Sequence, residues 1–258
     1  MTLKIVSWNV NGIRAAMKKG FLEWVMEESP DILCVQETKA RPEQVGDSLD
    51  GLDGYHAYWS WGERKGYSGV LVLSKREPVS VGRHVGVEEF DGEGRLLVIE
   101  YPDFTLCNVY FPNGQARAER LAYKLGFYEA FLGFVDRLRA QGRRVVCCGD
   151  FNTAHRAVDL ARPKENEAVS GFLPEEREWM DRLEGRGFVD TFRQFSQEPG
   201  QYTYWDMKSW ARDRNVGWRL DYFYVSADVM PWVTAAFILP GVMGSDHCPV
   251  GLELAPGP

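Results

Sequence analysis

Short apolar runs of the strand type, each followed by a cluster of polar residues, restrict the possible folds of this chain more than any other feature. Helical periodicity is clearest at 116–140, and further helices are predicted at 14–28 and from Pro174 onward. Because strands outnumber helices and the two are mixed, we expect sheets covered by helices rather than a strictly parallel, doubly wound fold. The strand-like runs lie at 3–8, 31–36, 69–74, 95–101, 104–111, 143–150, 220–226 and 250–254.

Length and composition are those of a soluble globular protein. The chain has 258 residues, of which 45% are apolar and 26% charged. No Ser/Gly tract, proline-rich segment or long block of one charge interrupts it, so one continuous domain spanning 1–258 is predicted. No apolar run is long enough to span a membrane, and the start "MTLKIVSWNV" lacks the features of a signal peptide, which favours a cytoplasmic location without a membrane partner.

The charged residues and cysteines exclude some functions. The chain has 30 basic and 37 acidic side chains, and the resulting net charge of −7 argues against non-specific binding to a polyanion. A site that holds a divalent cation nevertheless concentrates acids, so local placement matters more than the total. Four of the five cysteines lie inside apolar runs and are predicted to be buried and reduced, and Cys248 is predicted to be structural.

Polar residues that interrupt the apolar runs at their ends form the main functional signal. They are carboxylates, amides, a tyrosine and a single imidazole, a set that suits Mg²⁺ and phosphate. It suits zinc poorly, because zinc prefers several histidine or cysteine ligands. The residues are Asn9, Asn11, Glu37, Tyr110, Asn113, Asp150, Asn152, Asp221, Asp246 and His247.

Six ordered motifs carry a family resemblance: "SWNVNGIR", "CVQETK", "YFPNG", "GDFNTAH", "NVGWRLDYF" and "GSDHCPV". Together with "GFLPEEREWM" at 171–180, they resemble the bacterial-type exonuclease III family of apurinic/apyrimidinic endonucleases. The resemblance runs from residue 4 to about residue 254. It implies a four-layer α/β sandwich of the deoxyribonuclease I type, in which two mixed β-sheets pack face to face with helices outside.

The same resemblance implies an activity and its partners. The expected reaction is Mg²⁺-dependent hydrolysis of the DNA backbone on the 5′ side of an abasic site, which leaves a 3′-hydroxyl. A 3′-to-5′ exonuclease or 3′-phosphodiesterase activity is expected beside it. The expected partner is double-stranded DNA with abasic sites or blocked 3′ ends, bound by a monomer associated with the nucleoid.

By matching position, the resemblance implies a metal site at the end of the second apolar run. Glu37 would bind Mg²⁺, for which Mn²⁺ is a conceivable substitute, with Asn9, Asn11 and Asp246 close by. Mg²⁺ keeps several waters and takes substrate phosphate as a ligand, so one ion held by few protein carboxylates is chemically reasonable.

The resemblance also implies catalytic roles. Asp150 would orient or deprotonate the attacking water, and Asn152 would hydrogen-bond that water or the phosphate. His247 would donate to a phosphate oxygen while Asp221 holds its other ring nitrogen and favours the charged form. Tyr110 would contact the scissile phosphate as a donor.

The segment 202–218 mixes aromatic and basic residues, a pattern that suits DNA from which a base is missing. A sugar without its base needs an apolar wall, and the neighbouring phosphates need cations. The opposing interpretation is that most of the nine tryptophans are core residues. The substrate-binding residues predicted here and elsewhere are Tyr204, Trp205, Trp218, Asn113, Arg64, Arg117 and Lys124.

Two other functions compete with this prediction. A phosphatase or phosphodiesterase acting on a non-nucleic-acid phosphoester would share the glutamate, the Asp–Asn pair and the Asp–His pair. The aromatic and basic segment 202–218 argues against it. A non-catalytic DNA-binding module is the second alternative, and the presence of every expected catalytic residue type argues against that one.

Overall fold

A computed structural model describes residues 2–49, 52–115 and 117–255, which contain two six-stranded mixed β-sheets. In the first sheet the strands lie in the order β11–β12–β1–β2–β4–β3. β1 and β2 run parallel, and the other neighbours in this sheet are antiparallel. The six strands are β1 (Leu3–Asn9), β2 (Ile32–Gln36), β3 (His56–Ser60), β4 (Val70–Ser74), β11 (Val233–Ile238) and β12 (Val250–Leu254).

The second sheet has the order β5–β6–β7–β8–β10–β9. β7 and β8 form its parallel pair, and the remaining neighbours are antiparallel. Each sheet therefore has one parallel pair near its centre. The strands are β5 (Ser80–Gly82), β6 (Leu96–Glu100), β7 (Thr105–Tyr110), β8 (Val145–Asp150), β9 (Phe188–Asp190) and β10 (Asp221–Ser226).

Alternating side chains divide the interior into three apolar layers. Along β1, Ile5 packs between the two sheets, whereas Val6 packs on the opposite face against helical residues such as Phe21. Along β8, Val146 likewise points between the sheets, and Val145 packs on the outer face against a third cluster. Successive side chains of a strand point to opposite faces, so both sheets are covered on both sides. The predicted four-layer α/β sandwich is thereby confirmed.

The helices occupy the outer layers, and one of them differs from the sequence prediction. The single helix expected at 14–28 is broken: the first segment ends at Met17, and Gly20, in a left-handed conformation (φ 90°), precedes the start of the second. No helix within residues 2–49, 52–115 and 117–255 has both the length and the apolar character needed to cross a membrane. The helices are α1 (Ile13–Met17), α2 (Phe21–Glu28), α3 (Pro42–Val45), α4 (Glu88–Asp91), α5 (Ala118–Ala140), α6 (Pro163–Asn166), α7 (Pro174–Gly185) and α8 (Thr191–Phe195).

A buried network of ion pairs supports the segment that leads into β10. Arg219 donates to Asp159 at 2.8 Å and to Asp190 at 2.6 Å, and Arg193 also contacts Asp159. Asp159 and Arg219 are at most 1% exposed. Burial raises the pKa of Asp159, but Arg219 and Arg193 outweigh this effect and lower it to about 2. Since Asp221 lies two residues after Arg219, the network helps to fix the start of β10.

We expect Asp159→Asn to destabilise the fold by about 3–5 kcal/mol, because it leaves two buried guanidinium groups without their shared carboxylate. The folded-state pKa of Asp159 is below its ordinary value of 3.8, so the stabilisation is complete above that value. It should be lost as the pH falls toward about 2. Denaturant unfolding at pH 7 and at decreasing pH measures both effects. The exposed Asp213→Asn is the control, and an equal loss in both variants would contradict the prediction.

Candidate active site

The polar residues predicted from strand ends meet at one edge of the sandwich. Strand pairing places Tyr110 beside Asp150 and Asp150 beside Asp221 in the second sheet. In the first sheet, Asn9 ends β1 beside the end of β2, and Glu37 follows directly. Glu37, like Asn11 and Asn152, has a positive φ of about 50°, so the backbone turns sharply just after each strand. These turns direct side chains from both sheets into one cleft.

Asn9 connects the two sheets. Its Nδ2 donates to Oε1 of Glu37 at 3.0 Å and to Oδ2 of Asp150 at 2.8 Å, while its Oδ1 accepts from the backbone N–H of Asn11 at 2.9 Å. The side chain is fully buried. Asn9 therefore fixes the spacing between the glutamate of one sheet and the aspartate of the other.

Asp150 is a buried carboxylate held by several donors. It is 1% exposed, and its Oδ1 accepts from the backbone N–H of Asn152 at 2.8 Å. The side chain of Asn152 donates to the Phe111 carbonyl at 2.9 Å and accepts from Asn113 at 3.1 Å. Burial raises the pKa of Asp150 to about 7, with His247 opposing the shift and neighbouring carboxylates adding to it. A carboxyl group with such a pKa can gain or lose a proton near neutrality.

His247 lies opposite Asp150 and pairs with Asp221. Its Nδ1 is 2.8 Å from Oδ2 of Asp221, and its Nε2 is 3.9 Å from Oδ2 of Asp150. Burial lowers the pKa of His247, but Asp221, Asp150 and Asp246 outweigh it and raise the pKa to about 10. The indole N–H of Trp8 donates to the His247 carbonyl at 3.2 Å. The ring is thus held with Nδ1 on a carboxylate and Nε2 toward Asp150.

Glu37 and Asp246 line the same cleft and are less buried than Asp150 and Asp221. Asn11 donates to both carboxylate oxygens of Asp246 at 3.0–3.1 Å, and Lys39 contacts Oε2 of Glu37 at 2.8 Å as well as Oδ1 of Asn11. Burial raises the pKa of Glu37, but Lys39, Asn9 and His247 together lower it, so the group is a carboxylate at neutral pH. Carboxylate oxygens beside an open cleft fit a hard divalent cation such as Mg²⁺.

Among residues 2–49, 52–115 and 117–255, two groups of side chains are compact enough to hold a metal ion. The ligand atoms of Asp150, Asp221 and His247 all lie within 4.8 Å of one another. The same holds for the buried His155 together with Asp181 and Glu184 of α7, where Arg156 also contacts Glu184 at 2.7 Å. In the first group, His247 and Asp221 are hydrogen-bonded to each other, which leaves Glu37 and Asp246 as the more accessible carboxylates.

A cavity of about 350 Å³ opens beside these groups and has one apolar wall. Trp218 and Tyr204, which pair through their backbones, form part of this wall together with Leu220. The Tyr204 ring lies 4.9 Å from the ring of His247. Gly171 (φ 103°) faces Trp218 so closely that a Cβ there would lie 3.4 Å from the indole. The wall is therefore continuous with the polar groups.

Two of the predicted substrate contacts are buried, and the structure contradicts them. Lys124 is 0% exposed, and its ammonium binds Glu176 at 2.6 Å and the Asn152 carbonyl at 2.7 Å. Trp205 is 4% exposed, and its indole N–H donates to Asn215 at 3.1 Å. Neither side chain can reach DNA in this conformation. Lys124 holds the turn that carries Asn152 in place.

Basic side chains line two cavities near the cleft. Arg64 and Arg117 line a cavity of about 540 Å³ that shares Tyr110 and Asn113 with the cleft. A second cavity, of about 770 Å³, is lined by Arg14, Lys18 and Lys39, the last of which contacts Glu37. An extended polyanion could therefore contact cations beyond the polar groups of the cleft.

Several residues of the cleft were missed from the sequence. Lys39 lies two positions after Glu37 in the motif "CVQETK", but it was not singled out. Gly171 opens the quoted segment "GFLPEEREWM" and lines the cavity, and its backbone N–H donates to Glu176. Leu220 adjoins the predicted Asp221. The other unpredicted residues that line the cavity are Gln115, Asn166, Val169, Ser170 and Asp206.

Comparison with known proteins identifies the family. The sequence profile of the Endonuclease/Exonuclease/phosphatase family matches residues 6–247. An exodeoxyribonuclease of Bacillus subtilis is 45% identical over 252 residues, covering 97% of this chain and 98% of that protein. The DNA repair nuclease APEX1 of Danio rerio is 44% identical over 256 residues, covering 98% of this chain and 82% of the relative.

Solved structures show the same likeness. An AP endonuclease of Leishmania major superimposes with a TM-score of 0.89 at 31% identity, covering 100% of this chain and 88% of that one. The 3′ phosphatase NExo of Neisseria, bound to a product DNA hairpin, has a TM-score of 0.90 at 26% identity, with coverage of 98% and 99%. The chain belongs to the endonuclease/exonuclease/phosphatase family.

Proposed function

We propose that this member of the endonuclease/exonuclease/phosphatase family is a DNA repair nuclease that hydrolyses the phosphodiester on the 5′ side of abasic sites. The observation that carries the proposal is the buried group of Asp150, His247 and Asp221 beside an aromatic-walled cavity. The names of the relatives, exodeoxyribonuclease and DNA repair nuclease, support the same chemistry. The likeness to a 3′ phosphatase bound to product DNA supports an additional activity on blocked 3′ ends.

The first step of the proposed mechanism concerns the attacking water. Asp150, whose pKa is raised to about 7, would accept a proton from water as the water oxygen forms its bond to phosphorus. Asn9 and Asn152 hold both oxygens of this carboxylate, so the proton acceptor has a fixed direction. Asn113 extends the chain of amides to the surface of the cleft, where a phosphate oxygen would lie.

The second step concerns the charge on the phosphate and the leaving oxygen. His247 would donate from Nε2 to a non-bridging oxygen, because Asp221 occupies Nδ1 and favours the protonated ring. The Tyr110 hydroxyl, at the edge of the same cleft, would donate to the phosphate, since burial and Glu37 raise its pKa well above 10. The bond from phosphorus to the 3′ oxygen then breaks, the leaving oxygen takes up a proton from solvent water, and the products are a 3′-hydroxyl and a 5′-phosphate.

Glu37 and Asp246 would hold the metal that we propose as Mg²⁺, with Mn²⁺ as a substitute. When bound, the ion would supply positive charge next to the non-bridging oxygens. Asn9 and Asn11 would orient the two carboxylates, since each donates a hydrogen bond to one of them. Lys39 would keep the region around Glu37 and Asn11 from becoming excessively negative.

The surroundings of the cleft favour DNA over a small phosphoester. The cavity lined by Arg64 and Arg117 and the cavity lined by Arg14 are together much larger than the space that one phosphate needs. The wall of Trp218 and Tyr204 suits a deoxyribose that has lost its base. We propose Arg64, Arg117 and Asn113 as contacts to the flanking phosphates.

Incision of an abasic-site duplex by the purified protein, with and without Mg²⁺, tests the function. An undamaged duplex and an inositol phosphate serve as comparison substrates. Mg²⁺-dependent cutting on the 5′ side of the lesion supports the proposal. Turnover of the inositol phosphate alone would make the protein a small-molecule phosphatase, and binding without cutting would make it a DNA-binding module.

We expect Glu37→Gln to raise the Mg²⁺ concentration needed for half-maximal activity by at least about tenfold, because the substitution removes a charged ligand but keeps the side-chain shape. A Mg²⁺ titration of the incision rate measures this. Glu27→Gln, on the exposed side of α2, is the matched control. An unchanged titration for Glu37→Gln would remove this residue from the metal site.

We expect Trp218→Ala or Tyr204→Ala to reduce incision at abasic sites by about 10- to 100-fold, the range that loss of one stacking surface commonly produces. Binding to intact duplex should change much less, because the phosphate contacts remain. The conservative variants Trp218→Phe and Tyr204→Phe keep an aromatic wall and should retain most of the activity. Equal losses on damaged and intact DNA would contradict a role in recognising the lesion.

We expect His247→Asn to lower turnover by about 10²- to 10³-fold, the usual effect of removing one placed donor to a transition state. Asp221→Asn should act in the same direction, and the double variant should be little worse than His247→Asn because the two residues act as one unit. Single-turnover kinetics measure these effects, with circular dichroism as the folding control. Additive losses would show that the residues work independently.

A further inference from the structure

The turn that carries Asp246 and His247 is paired with the start of the aromatic segment. Tyr204 and His247 form an isolated antiparallel bridge, and the backbone N–H of Trp205 donates to the Asp246 carbonyl at 3.0 Å. The backbone N–H of Cys248 donates to the Thr203 carbonyl at 2.8 Å. Residues 203–205 therefore run alongside 246–248, and a displacement of one segment would displace the other through these hydrogen bonds.

Arg212, further along the aromatic segment 202–218, binds the loop that precedes Asp246. Its guanidinium donates to three backbone carbonyls: those of Ser245 at 3.2 Å, Pro240 at 2.8 Å and Val242 at 2.6 Å. A planar guanidinium offers donors in fixed directions and can satisfy several acceptors at once, which an ammonium group does less well. One side chain thus fixes the course of the loop 240–245.

Trp205 provides the surface on which this guanidinium rests. The Arg212 guanidinium carbon lies 4.7 Å from the Trp205 ring centroid, and the indole N–H is anchored on Asn215. Gly217 lies against the N–H edge of the indole, because a Cβ there would be only 2.6 Å from the indole nitrogen. A buried ring with its polar atom satisfied is a rigid support. Trp205 is therefore placed to support Arg212 rather than to meet substrate.

Residues 206–208 and Trp210, which lie between Trp205 and Arg212, are at the surface. Met207 is 70% and Trp210 79% exposed, and Asp206 lines the cavity of the candidate active site. Large apolar side chains so exposed beside a proposed DNA cleft are available to contact the duplex. The segment 206–210 is flanked by Trp205, which is hydrogen-bonded to Asp246, and is followed by Arg212, which is hydrogen-bonded to the loop 240–245. A displacement of residues 206–210 would therefore act on both Asp246 and this loop.

We propose that Arg212, supported by Trp205, is a positioning residue that couples the exposed segment 206–210 to the orientation of Asp246 and His247. The inference rests on the proposed function for its catalytic consequence. Arg212 itself touches neither the reacting atoms nor the metal ligands' side chains; it acts through the carbonyls of the loop 240–245. Loss of the guanidinium would let this loop shift and would misplace His247 relative to Asp150.

The test uses Arg212→Ala, Arg212→Lys and the control Asp213→Ala, which changes the neighbouring exposed side chain. For each, turnover at saturating abasic duplex and the dissociation constant in EDTA are measured separately. A misplacement of a catalytic group by about 1 Å can lower the reaction rate by about 10²-fold. We therefore expect the turnover of Arg212→Ala to fall roughly 10- to 100-fold. Affinity should change less than about threefold, Arg212→Lys should be intermediate, and Asp213→Ala should match the wild type.

A second readout needs no turnover. The chain has four histidines, so the ring proton that His247 shares with Asp221 can be assigned by comparing proton NMR spectra of the wild type and His247→Asn. Arg212→Ala should shift or broaden this resonance, and Asp213→Ala should not. The measurement remains valid even if the wild type fails to cut abasic DNA, so it separates failure of the coupling from failure of the proposed function.

The coupling would be overturned by wild-type turnover and an unchanged His247 resonance in Arg212→Ala. A lower unfolding temperature with unchanged turnover per folded molecule would also overturn it, because the role would then be structural. Equal loss of affinity and turnover, restored by Arg212→Lys, would assign Arg212 to phosphate binding and would likewise overturn the coupling.

Discussion

The carboxylate of Asp150, buried where the edges of the two sheets meet, is the group on which the rest of the site depends. An isolated buried carboxylate is costly, so its oxygens must find donors or a positive partner. One donor, Asn9, comes from the opposite sheet, another is the backbone of Asn152, and His247 supplies the nearby charge. These partners can converge only when the two sheets pack in one relative position. The site is consequently assembled by the same packing of the two sheets that completes the fold.

The sequence predicted the strand-end residues because strand periodicity and local polarity are encoded by neighbours along the chain. It assigned Lys124 and Trp205 to DNA contacts, because the residues that pack against them, Glu176 and Cys248, lie far away along the chain, where periodicity gives no information. A lysine near the start of a long helix looks solvent-exposed unless a buried acid elsewhere is known. Conversely, the Asp221–His247 pair was found through the family resemblance, not through spacing.

The strands missed from the sequence, β3, β5, β9 and β11, are all edge strands of the two sheets that the described residues form. β5 and β9 have three residues each, too few for an alternating pattern to be recognised. β11 is an edge strand whose residues are mostly half-buried, so polar and apolar positions are poorly separated. The helix predicted at 14–28 failed for a different reason: the apolar spacing continues across Gly20, and only the backbone conformation shows the break. The spacing of apolar residues therefore indicates which positions are buried more reliably than it indicates whether a helix is unbroken.

Charge placement reconciles a net charge of −7 with a proposed DNA substrate. Asp159, Asp190 and Glu176 are buried and paired with internal arginine or lysine side chains, so they contribute little field outside the protein. At physiological salt, screening limits exposed charges to a range of about 8 Å, so a phosphate senses mainly its immediate neighbours. Those neighbours are the basic side chains of the two cavities beside the cleft. Total charge thus predicts solubility for such a chain, whereas the local arrangement of cations around Asp150 determines whether a polyanion can approach.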